Sequence, residues 1–450
     1  MSQITNYKTI CASFKNEMIR LVIIISIIFF ATDCWAKTLL LEQKNIKQEV
    51  TNQEVPATLN LQQAIDYAIK NNKQIKALSA TLPITEANLI IAKYRPNPIF
   101  SSQNEAVKQG SLHPAQIAIP LEVGRKRYWR AKVAKEQISK TELEIRKAIW
   151  ETHTQVHGSY SQVVVLNYLI EIGKQRKEFY EKLLQIAKDR FSAGDVSGLD
   201  LERANLELLT AENELNELQG KSKQAKIDFN LLLGISPDNE TALENTDSLK
   251  PKEKVSDNPA IKDLQIDAQK NRFEIAILEK EYGITEAQLK QAKWEIIPNL
   301  TIEGGAVKPS VGTNIWGPYL AAQAELPVFN RKQGEIKKAK AQLDYLEKEE
   351  DRLKLLIQSQ ITDALQYFKV REEQLKRYEE KLLSQSKNIL ELIEFGYQRG
   401  KLSLTDVLNA EQKNREVKQA YLQSILNYQI AFSNLEYALG VPLDKLGEKS

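Results

Sequence analysis

The sequence predicts a mainly α-helical chain with a small β part, built from two similar halves that each carry a long-helix hairpin and one β-hairpin. Three observations predict it. Landmarks recur in one order: ITEA stands at Ile84–Ala87 and Ile284–Ala287, ahead of Pro96-Asn97 and Pro298-Asn299. AGDVSGLDL (Ala193–Leu201) is answered by RGKLSLTDV (Arg399–Val407) and LLLGISP (Leu231–Pro237) by YALGVP (Tyr437–Pro442), both 206 residues apart. That spacing far exceeds the roughly 20 to 50 residues of solenoid repeats, so it marks a duplicated half rather than an array. Second, two very long stretches are rich in Ala, Leu, Glu, Lys and Gln and poor in Gly and Pro, the composition of helix. Third, each half contains short patches in which apolar residues alternate with period two, the mark of a strand with one apolar face.

In chain order, residues 1–36 read as a signal peptide. Lys8, Lys15 and Arg20 accompany an apolar run, Ile19 to Ala31, that is interrupted only by Arg20 and Ser26 and is too short to span a bilayer. Cys34 and Ala36 flank Trp35 as an A-x-A-like site, so cleavage is expected after Ala36. A second reading makes Cys34 a lipidated N-terminus, but Asp33 stands before it where a small residue is expected. With cleavage after Ala36 both cysteines, Cys11 and Cys34, are lost, which excludes disulfides, zinc-cysteine sites and thiol nucleophiles. Removing three basic and two acidic residues leaves 59 Lys and Arg against 57 Asp and Glu. That near-neutral balance gives no electrostatic case for nucleic acid.

Residues 37–58 form a polar leader, and 59–234 the first half: a helix, a β-hairpin over 97–123, a long helix from Lys126 to Phe191, a turn at 193–200 and a return helix. Residues 235–259 are polar and contain prolines, and read as a connector. The second half, 260–442, repeats the plan with a hairpin over 299–326, a long helix from Lys332 to Gly396 and a turn at 399–406; a tail follows at 443–450. At 1.5 Å per residue each long helix is roughly 100 Å, and it must lie against partners throughout. Leu343, Leu346, Leu353, Leu356 or Ile357, Ile361, Leu365 and Phe368 supply an apolar seam at helical spacing.

Taken alone, that seam fits a free coiled coil, and the hairpins oppose this reading. Ile117, Ile119 and Leu121 alternate with Gln116, Ala118 and Pro120; Leu320, Ala322, Ala324 and Leu326 alternate with Tyr319, Ala321, Gln323 and Glu325. Trp316 and Tyr319 mark a strand start where an aromatic belt would lie. Such strands match the ~9 to 11 residues of a tilted transmembrane strand. Four strands cannot close a barrel, and open edges do not exist in lipid, so a spanning role demands a dimer with eight strands or a trimer with twelve.

The two ITEA segments leading to Pro-Asn, the strand exits IPLEVGRKRYWRAKVA and LPVFNRKQGEIKKAKA, the turns AGDVSGLDLERA and RGKLSLTDVLNAEQ, and the endings LLLGIS and YALGVP together resemble the TolC-type outer-membrane efflux channels, from about Leu59 to Pro442. The exits EVGRKRYWR and PVFNRKQGEI are most similar to the CzcC-like subgroup serving cobalt, zinc and cadmium pumps, although Val123-Gly124-Arg125 replaces the usual Gly-Gly-Lys. The resemblance implies a homotrimer in the outer membrane of a Gram-negative bacterium, with a 12-stranded β-barrel standing on an α-helical barrel that reaches across the periplasm. Its implied partners are outer-membrane lipid, a periplasmic adaptor protein and an inner-membrane pump of the proton-driven RND type.

In that fold the turns lie at the periplasmic tip. Gly194 and Gly400 match the tip-motif glycine, which makes Ala193, Asp195, Arg399 and Lys401 their neighbours at the adaptor; each glycine also suits a left-handed helix end. Asp406 aligns with the first of two pore aspartates, Asn409 replaces the second, and Asp200 is the first-half equivalent of Asp406. A ring of carboxylates attracts cations. Both aspartates equally fit S-x-x-D caps, Ser197 to Asp200 and Ser403 to Asp406. His153 and His157, four apart on one helix face, form a candidate weak metal contact, and His113 has no such case. No cofactor is implied. An enzyme is the least supported class, with neither G-x-x-x-x-G-K-[ST] nor H-E-x-x-H. The remaining alternatives are a general drug exit duct of the same fold and an exported coiled-coil scaffold.

Overall fold

The computed structural model describes residues 58–102, 105–107, 110–194, 196–244, 249, 271–308, 317–399 and 401–443. The expected signal peptide with Cys34, most of the leader, Trp316, and Asp195 and Gly400 at the tips lie outside the described residues.

The duplication is visible in the backbone. In the first half, α1 (Leu61–Asn71), α2 (Lys73–Ser79) and α3 (Leu82–Lys93) lead to β2 (Ile99–Ser102), β3 (Glu105–Val107) and β4 (Gly110–Leu121), then α4 (Lys126–Ser192) and α5 (Gly198–Leu233). In the second, α6 (Phe273–Glu295) leads to β6 (Leu300–Lys308) and β7 (Gly317–Ala324). There α7 (Gln333–Arg377), a π-helical turn at Tyr378–Leu382 and α8 (Leu383–Gln398) form the outgoing helix, and α9 (Leu404–Leu439) returns. Two details differ from the sequence expectation. Of the polar segment 107–114, expected to separate the two strands of the hairpin, Val107 belongs to β3 and Gly110–Pro114 to β4, where Gly110–Leu112 pair with β3 and His113 and Pro114 with β6. The helix expected to run unbroken from Lys332 to Gly396 contains the π turn, where the Leu383 amide donates to the Tyr378 carbonyl five residues back. In addition, Thr58, expected in the leader, pairs in β1 (Thr58–Leu59) with β5 (Ala242–Leu243) of the expected connector.

Equivalent joints hold each half together. Gly234 and Gly440 end α5 and α9 in the left-handed conformation, both at φ 74°. A Cβ on Gly234 would sit 2.3 Å from the Asn71 carbonyl oxygen, and one on Gly440 3.0 Å from that of Asn271. Asn72 Nδ2 donates to the Leu232 carbonyl at 2.8 Å; in the second half Arg272 Nη1 donates to the Ala438 carbonyl at 3.3 Å. Different residues thus serve one purpose at equivalent positions.

The 67-residue α4 is roughly 100 Å long at 1.5 Å per residue. It lies against α5 on one side and against α6 and α9 on the other; α6 and α9 in turn lie against α7, and α8 against α9. The helices therefore form one layer, with α3 and α5 at one edge and α7 and α8 at the other. Buried seams run between them: Val156, Tyr160 and Val163 of α4, Phe229 of α5, and Phe368 of α7 against Tyr428 and Phe432 of α9. Of the seam expected in α7, Leu346, Ile357, Ile361 and Phe368 are buried, whereas Leu356 is exposed.

The sheet runs β2-β4-β6-β7, all neighbours antiparallel, with both outer strands open. Its register sorts residues by face: Phe100, Ile117 and Leu320 flank Gly304, and Ile119, Ile302 and Ala322 fall in line. Side chains alternate across a strand, so Ser101, Gln116, Ala118, Glu303, Thr301, Tyr319 and Gln323 share the opposite face. The apolar face is bare: Ile117 is 49% and Leu320 81% exposed, while Ala118 on the other face is 9% exposed.

Candidate functional site

The end of the helical layer farthest from the sheet holds the two turns. α4 ends at Ala193, whose amide donates to the Asp189 carbonyl at 3.2 Å, and at Gly194, which adopts φ 82°. α8 ends at Arg399, whose guanidinium lies 4.0 Å from the Phe395 ring centroid, and the Lys401 amide donates to the Gly396 carbonyl at 2.9 Å. Both return helices start with a capping box. Ser403 Oγ and its amide donate to Asp406 Oδ2 at 2.7 and 2.9 Å, while the Asp406 amide donates back to Ser403 Oγ at 3.2 Å. Ser197 and Asp200 repeat this at 3.0, 3.3 and 3.4 Å. The Ser403 hydroxyl and amide hold the Asp406 carboxyl below the ordinary carboxylate range, which fixes its charge at neutral pH. Asn409, exposed, lies three residues on along the same helix face.

Behind the turns is a polar cluster that the motif reading did not single out. Tyr180 of α4, 2% exposed among Leu183, Ala211, Tyr397 and Val407, donates its hydroxyl to Glu411 Oε2 of α9 at 2.8 Å. The buried Arg176 pairs with Glu214 of α5 and lies 5.2 Å from the Tyr180 ring centroid, and Arg415 of α9 reaches the same Glu214 at 3.3 Å. Glu394 of α8 is pushed above the ordinary carboxylate range by burial and by Glu391 and Glu411 nearby. The available signal was an Arg and a Tyr on the apolar stripe of a long helix, which need buried partners. Apolar side chains also stand bare at the tips, namely Phe191 and Leu199 on one and Phe395 and Leu402 on the other.

The histidines lie elsewhere, in the middle of α4. His157 is buried, with Nε2 2.9 Å from Gln429 Oε1, Nδ1 4.0 Å from Glu436 Oε2, and its ring edge-on to Phe432. His153 stacks on Trp150 with ring centroids 5.0 Å apart. Among the described residues no group of three or more His, Cys, Asp or Glu is placed to hold a metal ion. The pair is thus built into helix packing, and the structure brings it to neither tip.

The family description "Outer membrane efflux protein" matches residues 64–235 and 265–441, which are the two halves of the fold. The chain belongs to the outer membrane efflux protein family. It is accordingly an efflux channel protein of the outer membrane. A relative, the cobalt-zinc-cadmium resistance protein CzcC of Cupriavidus metallidurans, is 23% identical over 389 residues, covering 86% of this chain and 91% of its own length. The fold is shared with a membrane protein from Pseudomonas aeruginosa (TM-score 0.71, 17% identity, 85% of this chain and 90% of that one). It is shared equally with CusC, a former of transmembrane channels (TM-score 0.70, 18% identity, 85% and 92%). The apolar face of the sheet is bare in the single chain, with Ile117, Ile119 and Leu320 exposed. The opposite face carries Gln116, Glu303, Thr301 and Gln323.

Proposed function

We propose that this protein is the outer-membrane exit duct of a tripartite efflux system and that its cargo is divalent heavy-metal cations. A homotrimer closes the sheet into twelve strands and the helical layer into a tunnel. The observation that carries this assembly is the pair of open sheet edges at β2 and β7 beside a bare apolar face, because unpaired strand edges are not tolerated in lipid. The helical edges support it: Ile84, Ile90 and Ile91 on α3 and Leu206 on α5 stand exposed on one side, and Leu355 and Leu392 on α7 and α8 on the other.

A periplasmic adaptor docks at the turns around Ala193, Gly194 and Asp195 and around Arg399, Gly400 and Lys401, with Phe191, Leu199 and Leu402 as its apolar anchors. An inner-membrane pump of the proton-driven RND type supplies the energy and the channel is passive. Asp406, Asn409 and Asp200 face the narrowed end of the tunnel, where three copies of a carboxylate favour cations. His153 and His157 contribute at most a weak contact to passing metal. Likeness to CzcC across most of both chains supports the metal cargo.

The test is growth of a deletion strain, with and without the restored gene, on cobalt, zinc, cadmium, nickel, copper and amphiphilic drugs. Sensitivity confined to metals is expected. Sensitivity to drugs and detergents would replace the metal cargo with a general efflux role.

A further inference from the structure

The duplicated halves meet inside one chain at a joint whose parts are present a second time but left apart. At the foot of the sheet, Lys126, at the start of α4, is buried, and its Nζ donates to the Ile297 carbonyl at 2.5 Å and to Asn299 Oδ1 at 2.6 Å. Trp294 closes over the joint, and a Cβ added to Gly124 would lie 2.7 Å from its ring. The first half therefore supplies a lysine and a glycine, and the second a Pro-Asn corner and an aromatic ring.

Each part has a counterpart in the other half. Arg331-Lys332 repeats Arg125-Lys126, and Ala92-Lys93-Tyr94 followed by Pro96-Asn97 repeats Ala292-Lys293-Trp294 followed by Pro298-Asn299. Among the described residues Lys332 pairs within its own half, with Glu295 at 3.6 Å and Glu335 at 3.2 Å, and an ammonium has three donors. Arg95 and Asn97 are exposed, as are Tyr94 at 63% and Phe329 at 93%. The sets lie on opposite edges: Lys332 follows the open strand β7, and Asn97 precedes the open strand β2.

We propose that Lys332 of one copy and the Arg95–Asn97 corner of a second copy form between subunits the joint that Lys126 and the Ile297–Asn299 corner form within one. Lys332 Nζ takes the Arg95 carbonyl and the Asn97 side chain, and Tyr94 closes over Asn330, the counterpart of Gly124. The smaller ring meets the larger residue, as it must if the space is the same. The prolines of the two strand exits set the register; Pro327 stands five residues before Lys332 where Pro120 stands six before Lys126, so the second exit is one residue shorter between proline and lysine. Ile119 faces Ile302 within the chain; equating Pro120 with Pro327 and the two Pro-Asn corners places Leu326, two residues past the end of β7, opposite Phe100 of β2 in the next copy. Both side chains then fall on the apolar face, and both are bare in the single chain. A slip of one residue would put one of them on the wet face.

This joint rests on the oligomeric assembly proposed above, and the experiment separates the two. Asn97→Cys and Lys332→Cys are introduced singly and together, with Leu326→Cys plus Phe100→Cys as a register pair, and the detergent-solubilised protein is treated with a short bismaleimide. A lysine spans farther than the ~7 Å between Cα atoms that a disulfide tolerates, hence the longer reagent. Single variants control for Cys11 and Cys34. Covalent trimers from the paired variants alone are expected, together with a lower dissociation temperature of the Lys332→Met trimer. Trimers of normal mass and heat resistance that do not cross-link would overturn the joint and leave the channel reading intact. Chains that remain monomeric would overturn both.

Discussion

Asp406 carries an observed cap and the proposed pore charge on one side chain. Its carboxylate accepts from both the hydroxyl and the amide of Ser403, so it starts α9, and the same hydrogen bonds depress its pKa. A carboxyl whose folded pKa is lowered contributes stability above its unfolded value and loses that contribution as the pH falls through the folded value. The charge at the tip is therefore constant across neutral pH and fades only below the ordinary carboxylate range. Replacement by Asn keeps a side-chain oxygen that can accept from the Ser403 amide at the third position of the capping box and deletes the charge. We expect Asp406→Asn channels in planar bilayers to lose most of their cation preference at pH 7 while the melting temperature stays nearly constant. Unchanged ion selectivity would leave Asp406 a cap alone. The cap was legible in the S-x-x-D spacing, because capping is a local contact. Whether the same carboxylate faces a pore depends on where the other copies stand, which no local pattern encodes. The histidines show the converse. Their four-residue spacing was readable, but the burial of His157 against Gln429 and Phe432 depends on α9, more than 270 residues away.

At the scale of elements, the long helices, the turns and both hairpins were legible because composition, period and the duplication agree on them. The extension of β4 to Gly110 was not, since a strand of polar residues has the composition of a loop. Neither was the π turn at Tyr378–Leu382, where one backbone hydrogen bond shifts from four residues to five without any marked residue. The helix pairing near the tip was equally hidden. Tyr180 and Glu411 are 231 positions apart, and their hydrogen bond ties α4 to α9 close to the turns. Tyr180→Phe keeps the ring among Leu183 and Val407 but leaves the Glu411 carboxylate buried without this donor, a loss of about 1–3 kcal/mol. The expected outcome is faster hydrogen exchange in the first turns of α9 and a larger fraction of open channels in bilayer recordings, with the sheet unaffected. Identical exchange rates would show that the neighbouring Arg176, Glu214 and Arg415 network holds the helices alone.

For the whole molecule, the property to test is which face of the sheet meets lipid, and the register sorts the residues into two faces position by position. Leu320 lies opposite Gly304, which lies opposite Ile117, whereas Tyr319 lies opposite Gly305, which lies opposite Gln116. Adjacent residues of one strand therefore lie on opposite faces, and in the proposed barrel they face different solvents. An arginine on the lipid face of a membrane barrel costs about 2–4 kcal/mol near the midplane, but one on the wet face can be hydrated. In a trimer each substitution is made three times, so the difference between faces is multiplied. We expect Leu320→Arg to abolish heat-resistant trimers in the outer-membrane fraction, and Tyr319→Arg to retain them with altered conductance. Equal tolerance of both substitutions would mean that the sheet does not span the membrane. The reverse pattern would mean that the apolar face is turned inward, and the barrel would then need its lipid-facing surface from residues such as Gln116, Thr301 and Glu303. Hydrocarbon cannot solvate those side chains, and this is the physical ground for expecting Leu320 rather than Tyr319 to be the intolerant position.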